Sequence, residues 1–521
     1  MSIPSRCTVL VIGGGPGGSY TASVLAREGI DTVLLEAEKF PRYHIGESML
    51  PSLRHYLKFI DLDEEFKARG FTKKAGAAFR MTPGNKEGWS DFLLAGGPEN
   101  YTWNVIRSEA DEIMFNHAKK SGAAVFDGVR VTEIQFDPTT IDASAAGESI
   151  GRPVSATYAR KDDDIGAVGT IQFEYLVDAS GRAGLLSTKY LKNRQYSKTL
   201  KNVAHWAYYR DAGKYGGGTK RENSPFFEAL NDESGWAWFI PLHDGRTSVG
   251  IVRNQDIATQ KKAALGDIDA YYEDALTSAP MLAGILHQTS ADKRVSSVQT
   301  ASDYSYSSTT YALPYARIIG DAGCFIDPFF SSGVHLALTG GLSAGTTIAA
   351  SIRGDVSEEV AGRWHSTKVG SGFARFLLVV LGSYKQMRNQ RQDVLSDFGE
   401  GDFDRAFEIF RPVIQGTVEI SNNITQAEFS KTIDFLAKAL DPSILSMLED
   451  AHDPAELEKL MKASHGDEDE AEMEVLTAIR MGQGAEIFGI GNFTTDVVHG
   501  MVPRLERGSL TLVPAESNDE T

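Results

Sequence analysis

The first apolar residues of the chain come as a block. Val9-Leu10-Val11-Ile12 is an unbroken run, the pattern of a strand buried on both faces. It breaks into Gly13-Gly14-Gly15-Pro16-Gly17-Gly18, and Ser19 to Arg27 is then apolar on one face, which predicts a helix. A second apolar run ends in Leu34-Leu35-Glu36. Tyr175-Leu176-Val177-Asp178-Ala179-Ser180-Gly181 and Ala316-Arg317-Ile318-Ile319-Gly320-Asp321-Ala322 predict further buried strands. Ala77 to Met81, Val203 to Tyr209 and Thr247 to Val252 alternate instead, which predicts an antiparallel sheet. A long helix is predicted from Val334 to about Ile352. From about residue 356 the spacing turns helical, with Phe435, Leu436, Leu440, Ile444, Leu445 and Leu448 recurring on one face. Phe376 to Leu381 fits a buried helix and is far too short to span a bilayer.

The opening strand, glycine turn and helix carry a first chemical meaning. Gly13 makes the tight turn, Gly15 lets the backbone approach a pyrophosphate, and Gly18 lets the helix pack on the strand. The helix N-terminus offers unpaired N–H groups to phosphates. Glu36, eighteen residues after Gly18, is placed to accept hydrogen bonds from a ribose. The Gly-Asp-Ala ending at Asp321 and the strand ending at Gly181 resemble the later cofactor contacts of the glutathione-reductase-type FAD fold. Arg107, opening a predicted helix, resembles the arginine that many flavoenzymes place near the flavin; its plain alternative is a helix-terminus residue on the surface. The fold class expected is therefore α/β: a Rossmann-like FAD-binding fold with an antiparallel substrate-side sheet and a helical C-terminal region.

Composition narrows the partners. At 521 residues the chain exceeds a usual single domain. The expected FAD unit, 1–355, is discontinuous (about 1–70, 100–185 and 300–355), with the sheet inserted from about 71–99 and 186–299. The helical region is expected over 356–521. Asp467-Glu468-Asp469-Glu470 reads as a solvated run, and the polar tail after Pro514 as disordered. A formal charge of −18 argues against nucleic acid and anionic membranes as partners. Only Cys7 and Cys324 are present, so neither a disulfide framework nor a cysteine zinc site is expected, and no metal. The first strand leaves no room for a signal peptide, and a cytoplasmic location is expected.

Three local patterns go further. Trp236 and Trp238, two apart on a predicted strand, share a face; core packing alone would explain them. Phe325-Ile326-Asp327-Pro328-Phe329-Phe330-Ser331-Ser332-Gly333-Val334 ends at a helix N-terminus, where converging N–H groups favour an anion, either charge developing on a flavin or a halide. Phe71-Thr72-Lys73-Lys74-Ala75-Gly76-Ala77 puts two lysines in a loop before a strand, where lysines are ordinarily solvated.

Together these residues resemble the flavin-dependent halogenases. The WxWxIP signature stands as Trp236, Trp238, Ile240 and Pro241, and FxxPxxSxG as Phe325, Pro328, Ser331 and Gly333. The likeness runs over roughly two thirds of the chain and is nearest to fungal halogenases acting on free phenolic polyketides of the radicicol type. It implies that Gly13, Gly14, Gly15, Gly17, Gly18 and Glu36 hold the adenine half of FAD. Glu47, Arg107, Asp321 and Val334 would contact the rest. Ser332 and Gly333 would bind halide, Lys74 would be the catalytic lysine with Lys73 as runner-up, and Trp236 and Trp238 would shield the substrate. Reduced FAD, supplied by a separate flavin reductase, would react with O2 and chloride or bromide through a flavin hydroperoxide to give hypohalous acid, which Lys74 delivers. Tryptophan-directed members carry a glutamate where this chain has Phe330, which favours a self-activated phenolic substrate. A base for the phenol is sought among His205, His243 and His335. Alternatives are an aromatic monooxygenase, a prenyl-reductase-like flavoprotein, or an inert flavoprotein scaffold.

Overall fold

The run Val9–Ile12 is buried because it lies in the middle of a sheet. In the computed structural model, the strand Arg6–Ile12 runs parallel to Val168–Asp178 on one side and to Thr32–Leu35 on the other. The sheet order is Ala312–Leu313, Ala316–Ile318, Val168–Asp178, Arg6–Ile12, Thr32–Leu35, Ala124–Phe126. Val129–Asp137 and Arg152–Arg160 extend it as an antiparallel pair. The structure describes residues 2–83, 87–140, 150–161, 168–289, 293–391, 413–415, 493 and 497–515.

Two helices set the site against this sheet. Pro16–Arg27 follows the first strand, and Gly333–Arg353 packs beside it. Their contact is close because it is built from glycine: a Cβ on Gly341 would stand 3.0 Å from the Gly17 carbonyl oxygen. Gly13 has φ +103°, a conformation only glycine adopts readily, and a Cβ on Gly18 would lie 1.9 Å from the Gly13 oxygen. The turn therefore closes only with glycine at both positions.

A second, eight-stranded sheet stands beside the first. Its path is Lys293–Arg294, Arg194–Arg210, Arg246–Asn254, Gly235–Pro241, Phe226–Ala229, Gly76–Arg80, Gly88–Asp91, with Gln299–Ser308 also on Arg194–Arg210. It is antiparallel except where Phe226–Ala229 runs parallel to Gly76–Arg80. One face carries Trp206, Tyr208, Trp236 and Trp238 into a core with Phe329 and Leu336; the other carries Ala207, Tyr209, Phe239 and Val249 onto the helices Ile268–Thr277 and Pro280–Leu286.

Two segments differ from the sequence reading. Lys73 and Lys74 are not in a loop: Thr72–Lys74 is a short strand paired with Thr102–Asn104, apart from both large sheets. The C-terminal region is not helical throughout. Glu358–Arg388 is a long buried helix containing Phe376 to Leu381, but Met501–Arg504 and Thr511–Pro514 form a hairpin. Gly508 at φ +82° lies in its connection, and Leu510, Thr511 and Leu512 are all buried. The helical spacing from Phe435 to Leu448, the acidic run Asp467–Glu470 and the last six residues of the tail lie outside the described residues. Among the described residues no helix is long and apolar enough to cross a membrane.

Candidate active site

The N-termini of the helices Pro16–Arg27 and Gly333–Arg353 open onto one cavity of about 650 Å³. At one end lie the glycine turn and Glu36. Glu36 Oε2 accepts the Gly14 N–H at 2.6 Å and Oε1 accepts the Glu38 N–H at 2.8 Å, so the carboxylate is pinned at the strand end. Gly13, Gly15, Gly17 and Gly18 line the cavity; Gly14 does not and instead holds Glu36. A Cβ on Gly15 would meet only Arg42 Nη2, at 3.5 Å, so the backbone there is bare toward the space.

Arg107 lines the middle. Its guanidinium is held by Asp111, four residues on in the same helix, at 2.8 and 3.1 Å, and donates to the Ile45 oxygen at 3.0 Å. Asp111 also pairs with Arg42 at 3.1 Å, joining the middle of the cavity to the Glu36 end. Asp321 lines the same region; burial raises its carboxyl against the pull of Arg182, Arg107 and Arg194. Glu47 is buried with Oε2 unpartnered, and burial raises its pKa to about 7.

At the far end the walls are apolar. Trp236 and Trp238 do share a face and line the cavity with Phe227 and Ile240. The indole of Trp236 donates to Tyr384 of the long C-terminal helix at 3.0 Å. Phe325, Pro328, Ser331 and Gly333 all line the cavity as well. Ser331 sits at φ +59°, which turns the chain into the helix. Ser332 is buried just behind with an unpartnered Oγ, and a Cβ on Gly333 would meet nothing within 4 Å. Phe330 points away, packed on Phe79 and Phe329 at ring distances of 5.3 and 4.9 Å.

Lys74 does not line the cavity. It is 1% exposed, with Nζ donating to Ser48 Oγ and to the Met49 oxygen, each at 2.8 Å. Ser331 Oγ lies 3.0 Å beyond Ser48 Oγ, and both serines line the cavity. Burial with no carboxylate partner lowers the lysine to about 7, so its amine is available near neutrality. Lys73 is exposed, its ammonium over Tyr101 at 3.9 Å. None of the three histidines lines the cavity. His205 faces the opposite side of its sheet against Tyr271, and burial lowers it to about 4. His243 stands 3.3 Å from Glu109, and His335 bonds Ser52 at 2.9 Å.

Sequence reasoning missed Ser48, Arg42, Tyr43 and Tyr208. The (i, i+4) spacing of Arg107 and Asp111 was a readable signal for that pair. Strand alternation already put Tyr208 on the face of Trp206.

A cavity between two helix N-termini, with an acid at its strand end and bare glycine backbone along it, fits FAD and defines a flavoprotein of the α/β class. Comparison with known proteins agrees and goes further. A family profile described as FAD binding domain matches residues 6–185, and one described as tryptophan halogenase matches residues 100–349. A flavin-dependent halogenase of Acremonium egyptiacum is 54% identical over 99% of this chain and 94% of its own length. The sulochrin halogenase of Aspergillus terreus is 48% identical over 99% of this chain and 95% of its own. A myxobacterial chondrochloren halogenase superposes with a TM-score of 0.65 at 27% identity, covering 84% of this chain and 97% of that one. The chain belongs to the flavin-dependent halogenase family.

Proposed function

We propose that this enzyme halogenates an electron-rich phenolic ring, using chloride or bromide, O2 and FAD reduced by a separate flavin reductase. The observation that carries the reading is Lys74: a buried amine with its proton affinity lowered to about 7, joined through Ser48 to the cavity surface. The sulochrin halogenase among the relatives supports a phenol as substrate. So does Phe330, which offers no carboxylate at the cavity and leaves ring activation to the substrate.

Bound reduced FAD supplies the electrons with which O2 brings the halide to the hypohalous level. Gly13, Gly15, Gly17, Gly18 and Glu36 hold its adenine half, with Gly14 fixing Glu36, and Glu47, Arg107, Asp321 and Val334 face the remainder. Ser332 and Gly333 hold the halide, because the helix N-terminus directs N–H groups and the positive dipole end there. Trp236 and Trp238 keep the aromatic substrate off the flavin and exclude water. Lys74 takes up the oxidised halogen, either by hydrogen bonding to the hypohalous acid or by forming an N–halogen bond at Nζ as an N–H and the O–halogen bond break and water leaves, and presents it to the ring, which gives up a proton to solvent on substitution.

The test is turnover of a resorcinol-type phenol and of sulochrin with FAD, a flavin reductase, NADH and O2, with and without halide, read by mass spectrometry. A halide-dependent isotope pattern that vanishes in Lys74→Ala is expected. Halide-independent gain of one oxygen would make the enzyme a monooxygenase and remove the roles given to Lys74, Ser332 and Gly333.

A further inference from the structure

We infer that Glu47 is the proton-holding carboxyl of the cavity, and that it exchanges protons with solvent through the hydroxyls of Tyr208 and Tyr43. The Tyr208 hydroxyl donates to Glu47 Oε1 at 2.7 Å. Tyr43 and Tyr208 hydroxyls are 3.0 Å apart, and the Trp206 indole N–H donates to the Tyr43 oxygen at 2.7 Å. A carboxylate oxygen can only accept, so Glu47 Oε1 fixes the direction of the row. The Tyr208 proton is committed to Glu47; the Tyr43 proton therefore goes to Tyr208. Tyr43 is 56% exposed and lines the open cavity, while Glu47 is 3% exposed at its wall, so the row runs from an accessible ring to a buried carboxyl.

The free end of the row is the unpartnered Glu47 Oε2, on a residue that lines the cavity. A proton can sit there without disturbing the bond at Oε1. The Tyr208 hydroxyl, the nearby Ser248 side chain, Arg246 and Arg107 all favour the carboxylate, while burial outweighs them and brings the pKa to about 7. Both protonation states are then accessible at neutral pH.

This inference rests on the halogenase reading for the use of the proton. Making one HOCl from reduced FAD, O2 and chloride consumes one proton: FADH2 + O2 + Cl− + H+ → FAD + HOCl + H2O. Glu47 gives its Oε2 proton to an oxygen anion formed in the cavity; one O–H bond breaks and another forms, with no change of oxidation state at the protein. In one concerted shift the carboxylate takes the Tyr208 proton at Oε1, Tyr208 takes that of Tyr43 and Tyr43 takes one from water, whose hydroxide the buffer neutralises; rotation of the carboxyl and the two hydroxyls then returns the proton to the cavity side and restores the row.

The experiment is infrared spectroscopy of the FAD-loaded, oxidised protein, with Glu47→Gln as the spectral reference. The C=O stretch of a protonated carboxyl should titrate with a midpoint near 7 and be absent from Glu47→Gln. After a fast pH jump that band should respond about tenfold more slowly in Tyr208→Phe and in Tyr43→Phe, since each interrupts the row. The equilibrium band should survive in Tyr43→Phe, a result that a merely structural role for Tyr43 does not pair with slowed exchange. Halide-dependent turnover in Glu47→Gln should fall about a hundredfold, the size of a lost general acid, with FAD still bound. A Glu47 ionised throughout, or jump responses in both Tyr variants as fast as in the unaltered protein, would overturn the inference. Absence of halide-dependent turnover in the unaltered enzyme would instead overturn the halogenase reading, and the infrared result would stand separately.

Discussion

Lys74 Nζ lies 2.8 Å from Ser48 Oγ, and through that hydroxyl the lysine reaches a cavity it does not itself line. Its amine is buried against Phe92 at 5.1 Å from the ring, with the Met49 carbonyl as its second acceptor. A charge in that setting lacks a counter-ion, which is why burial lowers its pKa to about 7.

That shift makes a stability prediction. In the unfolded chain a lysine titrates near about 10.4. Between pH 7 and that value the unfolded chain binds a proton that the folded one does not. Stability therefore rises with pH across this window, by up to about 1.4 kcal/mol per pH unit from this group, and the penalty for the charged amine is fully present below pH 7. Lys74→Met should lack this component. Urea unfolding of both proteins at pH 7, 8 and 9 checks it: the stability gap in favour of Lys74→Met should shrink as pH rises. Parallel pH profiles would mean the amine is not perturbed.

How much of this was legible in the sequence depends on the range of the contacts. The glycine turn and Glu36 are local, and they read directly. So did the shared face of Trp236 and Trp238, because strand periodicity is local too. Lys74 was singled out over Lys73 by resemblance alone; neighbouring residues read as a solvated loop. Its burial depends on Ser48 and Met49, which the intervening helices Ser52–Phe59 and Asp63–Arg69 bring back to it. The partner of Glu47 is Tyr208, in another sheet, and no spacing rule joins them. The hairpin at Met501–Pro514 was lost for a different reason: helical periodicity upstream was extended across Gly508.

Gly333 offers a clean probe of the halide assignment. It begins a helix with ordinary backbone angles, and a Cβ there meets nothing within 4 Å. Gly333→Ala should fold with stability within about 1 kcal/mol of the parent, since alanine is the better helix former by roughly that amount. The added methyl would stand where the N–H groups face the cavity. The halide concentration for half-maximal turnover should rise about tenfold or more, while FAD affinity is kept. An unchanged halide dependence would move the halide elsewhere.

By the resemblance drawn from the sequence, Phe330 stands where tryptophan-directed halogenases would carry a glutamate. Here the ring is 1% exposed and sits among Phe79 and Phe329. Phe330→Glu should therefore not create a tryptophan halogenase. It should cost about 3–5 kcal/mol through lost packing and a buried carboxyl, read by chemical denaturation. A stable Phe330→Glu protein that halogenates tryptophan would refute the reading of this position.

The last prediction concerns what holds the tryptophan wall in place. Trp236 Nε1 donates to the Tyr384 hydroxyl at 3.0 Å, and that hydroxyl donates to Asp327 Oδ2 at 2.7 Å. Asp327 Oδ1 in turn accepts the Phe329 N–H at 3.1 Å, so one aspartate ties the loop before Gly333 to the wall and to the helix Glu358–Arg388. Asn202 reaches both Tyr384 and Asp327, at 2.8 and 3.2 Å, closing the network. Tyr384→Phe removes the shared hydroxyl and leaves the buried indole N–H without its acceptor, at a cost of about 1–3 kcal/mol. Trp236→Phe removes the donor instead, and in the double variant that part of the cost cannot be incurred twice. The two substitutions should therefore be non-additive by about 0.5 kcal/mol or more in a denaturation cycle. Within that cycle, Tyr384→Phe should also release the wall enough to raise the share of reduced flavin oxidised without halogenating the phenol, measured as peroxide formed per NADH consumed. Additive costs with unchanged coupling would show that Tyr384 merely packs there, and that the wall stands by apolar contact with Phe227 and Phe329 alone.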